Sequence, residues 1–204
     1  MPVAVLRRVL AAVGADFECL VRFRGGELDR LLDERHAATA GLVATTLRRN
    51  GWLIASEVSF NHYGDRGSVD LLAFHPASKT ALVVEVKSEI TSAEETMRRL
   101  DVKCRLAGGL VHERFGERPL RVVRLLAVME SSANRARVGR LGLLFGAAFP
   151  VRGVVLRRWL AAPGPAAGAL LFVRNVRDTA GGDGMYGSRR VRRPHGGRQA
   201  LIRA

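Results

Sequence analysis

The run Ala81-Leu82-Val83-Val84 constrains the fold of this chain more than any other stretch, because a strand apolar on both faces must lie inside a covered sheet. The run leads straight into Glu85-Val86-Lys87. A carboxylate and an ammonium on so apolar a strand are costly to bury unless something compensates them. Side chains two apart share one face of a strand, so Glu85 and Lys87 project together.

The neighbouring segments supply partners for that strand. The spacing of Ala40, Val43, Ala44 and Leu47 predicts a helix from about Leu28 to Arg49, with Asn50-Gly51 as its stop. "WLIASEVSF", "SVDLLAF" and "ALVVEVKS" read as three strands, separated by the short turn-prone gaps "NHYGDRG" and "HPASK", hence as antiparallel neighbours. A helix is predicted over "TSAEETMRRLDVKCRLAGG", with Thr91 or Ser92 as N-cap and Gly108 as stop. "LRVVRLLAVM" is a fourth strand, "NRARVGRLGLLFGAAF" one helix, and "VRGVVLRRWL" and "GALLFVR" closing strands. A short helix over residues 3 to 13 and a strand at "DFECLVRF" come first. The fold class expected is α/β, a mixed sheet flanked by helices. Residues 1–27 form an N-terminal extension, 28–178 the main domain, and 179–204 a tail. The tail holds six glycines, six arginines and almost no core-forming residues, so it is expected to be disordered.

Composition narrows the partners. At 204 residues the chain suits one domain, and a net charge of +14 favours phosphate-rich partners, although part of that charge sits in the tail. No apolar stretch approaches the roughly 20 residues that span a bilayer, and the opening "MPVAVLRRVLAAVGADFE" fits an amphipathic helix better than a signal peptide. No membrane partner is expected. Cys19 and Cys104 lie far apart without a partner motif and read as reduced thiols in a cytoplasmic protein. Of 33 basic residues only Lys79, Lys87 and Lys103 are lysine. A chain that otherwise uses arginine has set a compact ammonium beside Glu85.

Asp70 lies on the strand before Glu85, and a plausible register brings Asp70, Glu85 and Lys87 to one edge of the sheet. A divalent cation would compensate two such carboxylates, since Mg²⁺ takes carboxylate oxygens and keeps its waters. A lysine beside it can orient or deprotonate water and stabilise charge on a phosphate. The plain alternative is a salt bridge from Lys87 to Asp70 or Glu85, which is what most E-x-K triplets form.

Asp70, fourteen residues, then Glu85-Val86-Lys87 resembles the PD-(D/E)xK nuclease superfamily, which includes type II restriction enzymes and archaeal Holliday-junction resolvases. The order helix, "NGW", strand, "GSVDLLAF", strand, "VVEVKS" is similar to small bacterial resolvase-like proteins carrying G-E-I-D and V-E-V-K, across about residues 34 to 105. The resemblance implies a restriction-endonuclease-like αβββαβ core and hydrolysis of DNA phosphodiester bonds, on branched or damaged DNA, with Mg²⁺ or Mn²⁺. It implies that Asp70, Glu85 and the Val86 carbonyl hold the metal and that Lys87 acts on water. Val69 stands where the family has proline, and Ser68 where resolvase-like relatives carry glutamate. The family often adds a glutamate from the preceding helix, which makes Glu34 a candidate; His36 and Glu57 are weaker ones, read respectively as a surface histidine and as a water-facing side chain. Arg99 and Lys103, four apart on a helix, would contact the nucleic-acid backbone, as would Arg66 in the loop before the Asp70 strand. Resolvase-like relatives are dimers, so a homodimer is one expectation. "LRRVLAAVGADFE…LDRLLDERHA" resembles the end of a helix-turn-helix regulator fused ahead of such domains in actinobacterial proteins. Two alternatives stand beside the nuclease: a non-catalytic DNA-binding or transcription-regulatory module that keeps the fold, and an unrelated basic α/β protein.

Overall fold

Gly51, at φ 81°, is what ends the first helix: its N–H reaches the Arg48 carbonyl at 3.0 Å and the Trp52 N–H reaches Leu47 at 3.2 Å. This left-handed stop needs a residue without a Cβ penalty. The computed structural model describes residues 26–62 and 64–174, with Val5 and Ala12 as isolated helical positions, and side chains continuously from residue 33 except at 63. The expected strand at 16–23, nearly all of the expected helix at 3–13, and the tail at 179–204 lie outside the described residues. The chain divides into two units, Met1–Glu34 and Arg35–Ala204. In the first, the described continuous stretch is the start of helix α1 (Gly26–Arg49); the sheet and its helices belong to the second.

After α1 come β1 (Leu53–His62), β2 (Asp65–His75), a short 3-10 turn (Pro76–Ser78) and β3 (Thr80–Lys87). Then follow α2 (Ala93–Phe115), β4 (Arg121–Met129), α3 (Ser132–Arg140), α4 (Gly142–Ala148), β5 (Val151–Arg152), α5 (Gly153–Ala161) and β6 (Gly168–Val173). The six strands form one mixed sheet in the order β1-β2-β3-β4-β6-β5. β1–β2 and β2–β3 pair antiparallel, whereas β3–β4, β4–β6 and β5–β6 are parallel. The protein is thus a mixed α/β fold, and its first six elements follow the α-β-β-β-α-β order.

Both faces of the sheet are covered, which is why the interior strand β3 is wholly apolar between Thr80 and Glu85. On one face Val43, Ala44 and Leu47 of α1 and Leu156 and Leu160 of α5 meet Leu82, Val84 and Val86. On the other, Leu100, Ala107 and Leu110 of α2, with Val138 and Phe145, meet Ala81, Val83 and Leu126. Trp52 closes one end of the first layer, its indole N–H donating to the Leu160 carbonyl at 2.8 Å.

Four boundaries differ from the sequence reading. β1 and β2 continue through most of the expected gap at 61–67, pairing as far as His62 opposite Asp65, so Arg66 stands on β2 and not in a loop before it. α2 does not stop at Gly108 but runs to Phe115, where Gly116 at φ 71° caps it. Each helical glycine costs about 1 kcal/mol, and burial of Ala107, Leu110 and Val111 outweighs it. The single helix expected over 134–149 is two, broken at Leu141 beside Gly142, because α3 buries Asn134 and Val138 while α4 buries Phe145. Most of the expected strand at 151–160 is helix α5: Leu156 and Leu160, four apart, are its buried residues.

Candidate functional site

The ladder between β2 and β3 runs from His75 opposite Thr80 to Leu71 opposite Val84, then ends. One position further along, Asp70 and Glu85 carry carboxylates where a ladder pair would form. Asp70 Oδ2 instead accepts the Val86 N–H at 2.6 Å, so the side chain takes over a backbone bond. β2 stays with β1 through this region, from Ser56 opposite Leu71 to Val58 opposite Val69, and Glu57 between them has φ 51°. That left-handed conformation is strained for a glutamate. It marks a local distortion of β1 beside the point where β2 and β3 part.

Five side chains converge there. Lys87 Nζ lies 2.8 Å from Glu85 Oε1. Lys103 of α2 binds Glu85 Oε2 on one side and sits 3.6 Å from Asp70 Oδ1 on the other. His36 of α1 places Nε2 3.9 Å from Asp70 Oδ2. Glu85 is only 2% exposed and Lys103 8%, so these are charges largely removed from water. Burial pushes the Glu85 carboxyl up, yet Lys103 and Lys87 outweigh it and hold the group below its ordinary range. Asp70 goes the other way: burial first, then the Glu85 charge, raise it, against the lowering pull of Lys103, the Val86 N–H and His36.

The positions expected to touch nucleic acid fall differently. Lys103 is buried and turned to the carboxylates, not to solvent, because it continues the buried α2 stripe of Thr96, Leu100, Ala107 and Leu110. Arg99 is exposed, with its Nε 2.6 Å from Glu95 Oε1, and Arg98 pairs with the same carboxylate at 2.9 Å. Arg105 is 2.8 Å from Asp65. Arg66 is exposed and donates to Asn61 at 3.2 Å. Glu57 is exposed, as is Glu34, which belongs to the first unit. Ser68, two residues before Asp70, has a buried Oγ with no hydrogen-bond partner.

The loop after Lys87 is held by one buried side chain that the sequence reading did not single out. Asn134, 1% exposed, accepts the Ile90 N–H at 3.0 Å and donates to the Ser88 and Met129 carbonyls at 3.0 and 2.8 Å. Arg137 donates to the Ile90 and Thr91 carbonyls from the same helix. Burial also pushes the Cys104 thiol, adjacent to Lys103, up to about 11, which makes it a poor nucleophile at neutral pH. A groove of about 400 Å³ between β1 and α2, lined by residues such as Phe60, Leu106 and Glu113, has none of the five converging side chains in its wall.

The donor set suits a hard divalent cation in kind: two carboxylates and a backbone carbonyl. No group of three or more His, Cys, Asp or Glu side chains that could hold a metal exists among the described residues. A single cationic centre nevertheless already touches both carboxylates, the Lys103 ammonium. Its position makes it a stand-in ion, and an ion that completes its shell with water needs few protein oxygens. Oxygen type fits such an ion; the two ammonium groups oppose a further positive charge.

No protein-family model and no curated protein matches the chain. Among solved structures, the crystal structure of an XisH family protein from Nostoc punctiforme PCC 73102 aligns at 19% identity over 50% of this chain and 83% of that chain, with a TM-score of 0.29. A likeness at that score carries no argument about this chain.

Proposed function

We propose that this chain is a nuclease-like protein that hydrolyses DNA phosphodiester bonds with Mg²⁺ or Mn²⁺ held by Asp70, Glu85 and the Val86 carbonyl. The observation that carries the reading is the convergence of two carboxylates and two ammonium groups where β2 parts from β3. The resemblance of the Asp70…Glu85-Val86-Lys87 spacing to the PD-(D/E)xK superfamily gives that convergence its direction. Bound there, a divalent cation supplies Lewis-acid polarisation of the phosphodiester. Glu85, kept ionised by two lysines, is a fixed charge; Asp70 is the carboxylate whose ionisation depends most on a cation beside it. Lys87 presents its ammonium beside Glu85, where it can orient water and stabilise charge gathering on phosphoryl oxygens.

One observation favours a second reading. The carboxylate charge is already balanced by Lys87 and Lys103, as in a module that binds DNA and has lost turnover. Incubating the purified chain with linear and branched DNA, in Mg²⁺ or in EDTA, separates the two. Mg²⁺-dependent cleavage that disappears in Glu85→Ala and Lys87→Ala while binding persists is the expected result. Binding that weakens steeply with salt and never cuts DNA would establish the second reading.

A further inference from the structure

Of the three lysines in the chain, two lie against the Asp70–Glu85 pair, and the one on α2 spans it. The Lys103 ammonium contacts Glu85 Oε2 and lies 3.6 Å from Asp70 Oδ1, so it occupies the place from which one cation reaches both carboxylates. Two like charges cannot share that place in a site so removed from water. Lysine is suited to leave it. Its charge rides on a four-carbon stem with free rotors, unlike the planar fork of the arginines used elsewhere in the chain.

We propose that Lys103 is an internal counter-cation, which holds the carboxylate pair together in the free protein and must be displaced for a divalent ion to enter. The proposal rests on the reading that Asp70 and Glu85 take such an ion. It gives Lys103 a role distinct from that of Lys87: Lys87 touches only Glu85 and can stay in place, whereas Lys103 competes directly with the ion. Loading is therefore unfavourable in the free protein and eased by an anion, such as a phosphodiester, that accepts the released ammonium.

Two measurements on the full-length chain test this without any assay of cleavage. Mn²⁺ titrated calorimetrically into wild type and Lys103→Gln is expected to bind the variant at least about tenfold more tightly, since one positive charge next to the ion is gone. In wild type, brief acetylation with an N-hydroxysuccinimide ester, read by mass spectrometry, is expected to leave Lys103 protected without metal and to label it severalfold more at saturating Mn²⁺. Lys79, whose side chain is 54% exposed, is the internal reference. The acetylation arm stands even if Lys103→Gln fails to fold. Mn²⁺ saturating wild type while Lys103 stays protected, or binding a folded Lys103→Gln no more tightly, overturns the competition and leaves the cation reading intact. No uptake by either wild type or a folded Lys103→Gln up to millimolar Mn²⁺, or uptake that survives Asp70→Asn with Glu85→Gln, overturns both.

Discussion

At the scale of single residues the site is a pair of carboxylates with opposite tendencies. Asp70 is raised by burial and by Glu85, so its ionised form is less favourable in the folded chain than in the unfolded one. A group of that kind favours folding below its unfolded value, near 3.8, and loses that contribution as pH rises through its folded value. Its charge therefore opposes folding at pH 7. Asp70→Asn is expected to raise the melting temperature at pH 7, and the gain is expected to shrink when melting is repeated below pH 4. Glu85 has the reverse sign: held low by its lysines, it contributes stability at neutral pH that is lost as acid protonates it. The proximity of Asp70, Glu85 and Lys87, as distinct from any role, was legible in the sequence, because alternation along β3 and a short hairpin leave few registers. Lys103 was not placed correctly. A four-residue spacing shows that Arg99 and Lys103 lie near each other on α2, but it does not say which side faces the sheet. The signal was present: Lys103 lies three after Leu100 and four before Ala107, inside the apolar stripe. His36 reaches Asp70 from α1 by tertiary packing alone, which no local pattern reveals.

At the scale of elements, two devices hold the sheet and its loops in place. One is the Asn134 clamp between α3 and the loop after β3. Asn134→Ala leaves the Ile90 N–H and the Ser88 and Met129 carbonyls without that partner; it is expected to cost about 2–4 kcal/mol in chemical denaturation. Hydrogen exchange at the Ile90 amide is expected to accelerate more than that at Val84, inside β3. The other is the close approach of β6 to β4. A Cβ on Gly168 would run into the Ala148 carbonyl oxygen and lie 2.7 Å from Arg124 Cγ. Gly168→Ala is therefore expected to destabilise by about 2 kcal/mol or more, whereas Gly142→Ala, with nothing near its Cβ, is expected to be far milder in the same denaturation series. The strand meander and α2 were readable because turns, caps and apolar periods agree there. The segment 151–160 was not: "VRGVVLRRWL" has an apolar run that suits either element, and only the Leu156–Leu160 contact with the sheet decides for helix.

At the scale of the molecule, a sheet covered on both faces leaves its chemistry where neighbouring strands diverge. A net charge of +14 favours polyanionic partners on electrostatic grounds, yet Arg98, Arg99 and Arg105 on α2 already pair with carboxylates. Exposed pairs of this kind contribute little to stability and are easily exchanged for phosphate. No helix among the described residues is long and apolar enough to cross a membrane. Whether the Asp70–Glu85 pair receives a divalent ion is measured most directly by anomalous diffraction from crystals of the chain grown with Mn²⁺. One peak is expected within about 2.0–2.6 Å of oxygens from both Asp70 and Glu85, with the Lys103 ammonium moved away. Crystals saturated with Mn²⁺ that show no peak there, and Lys103 still bridging the two carboxylates, would contradict the cation reading.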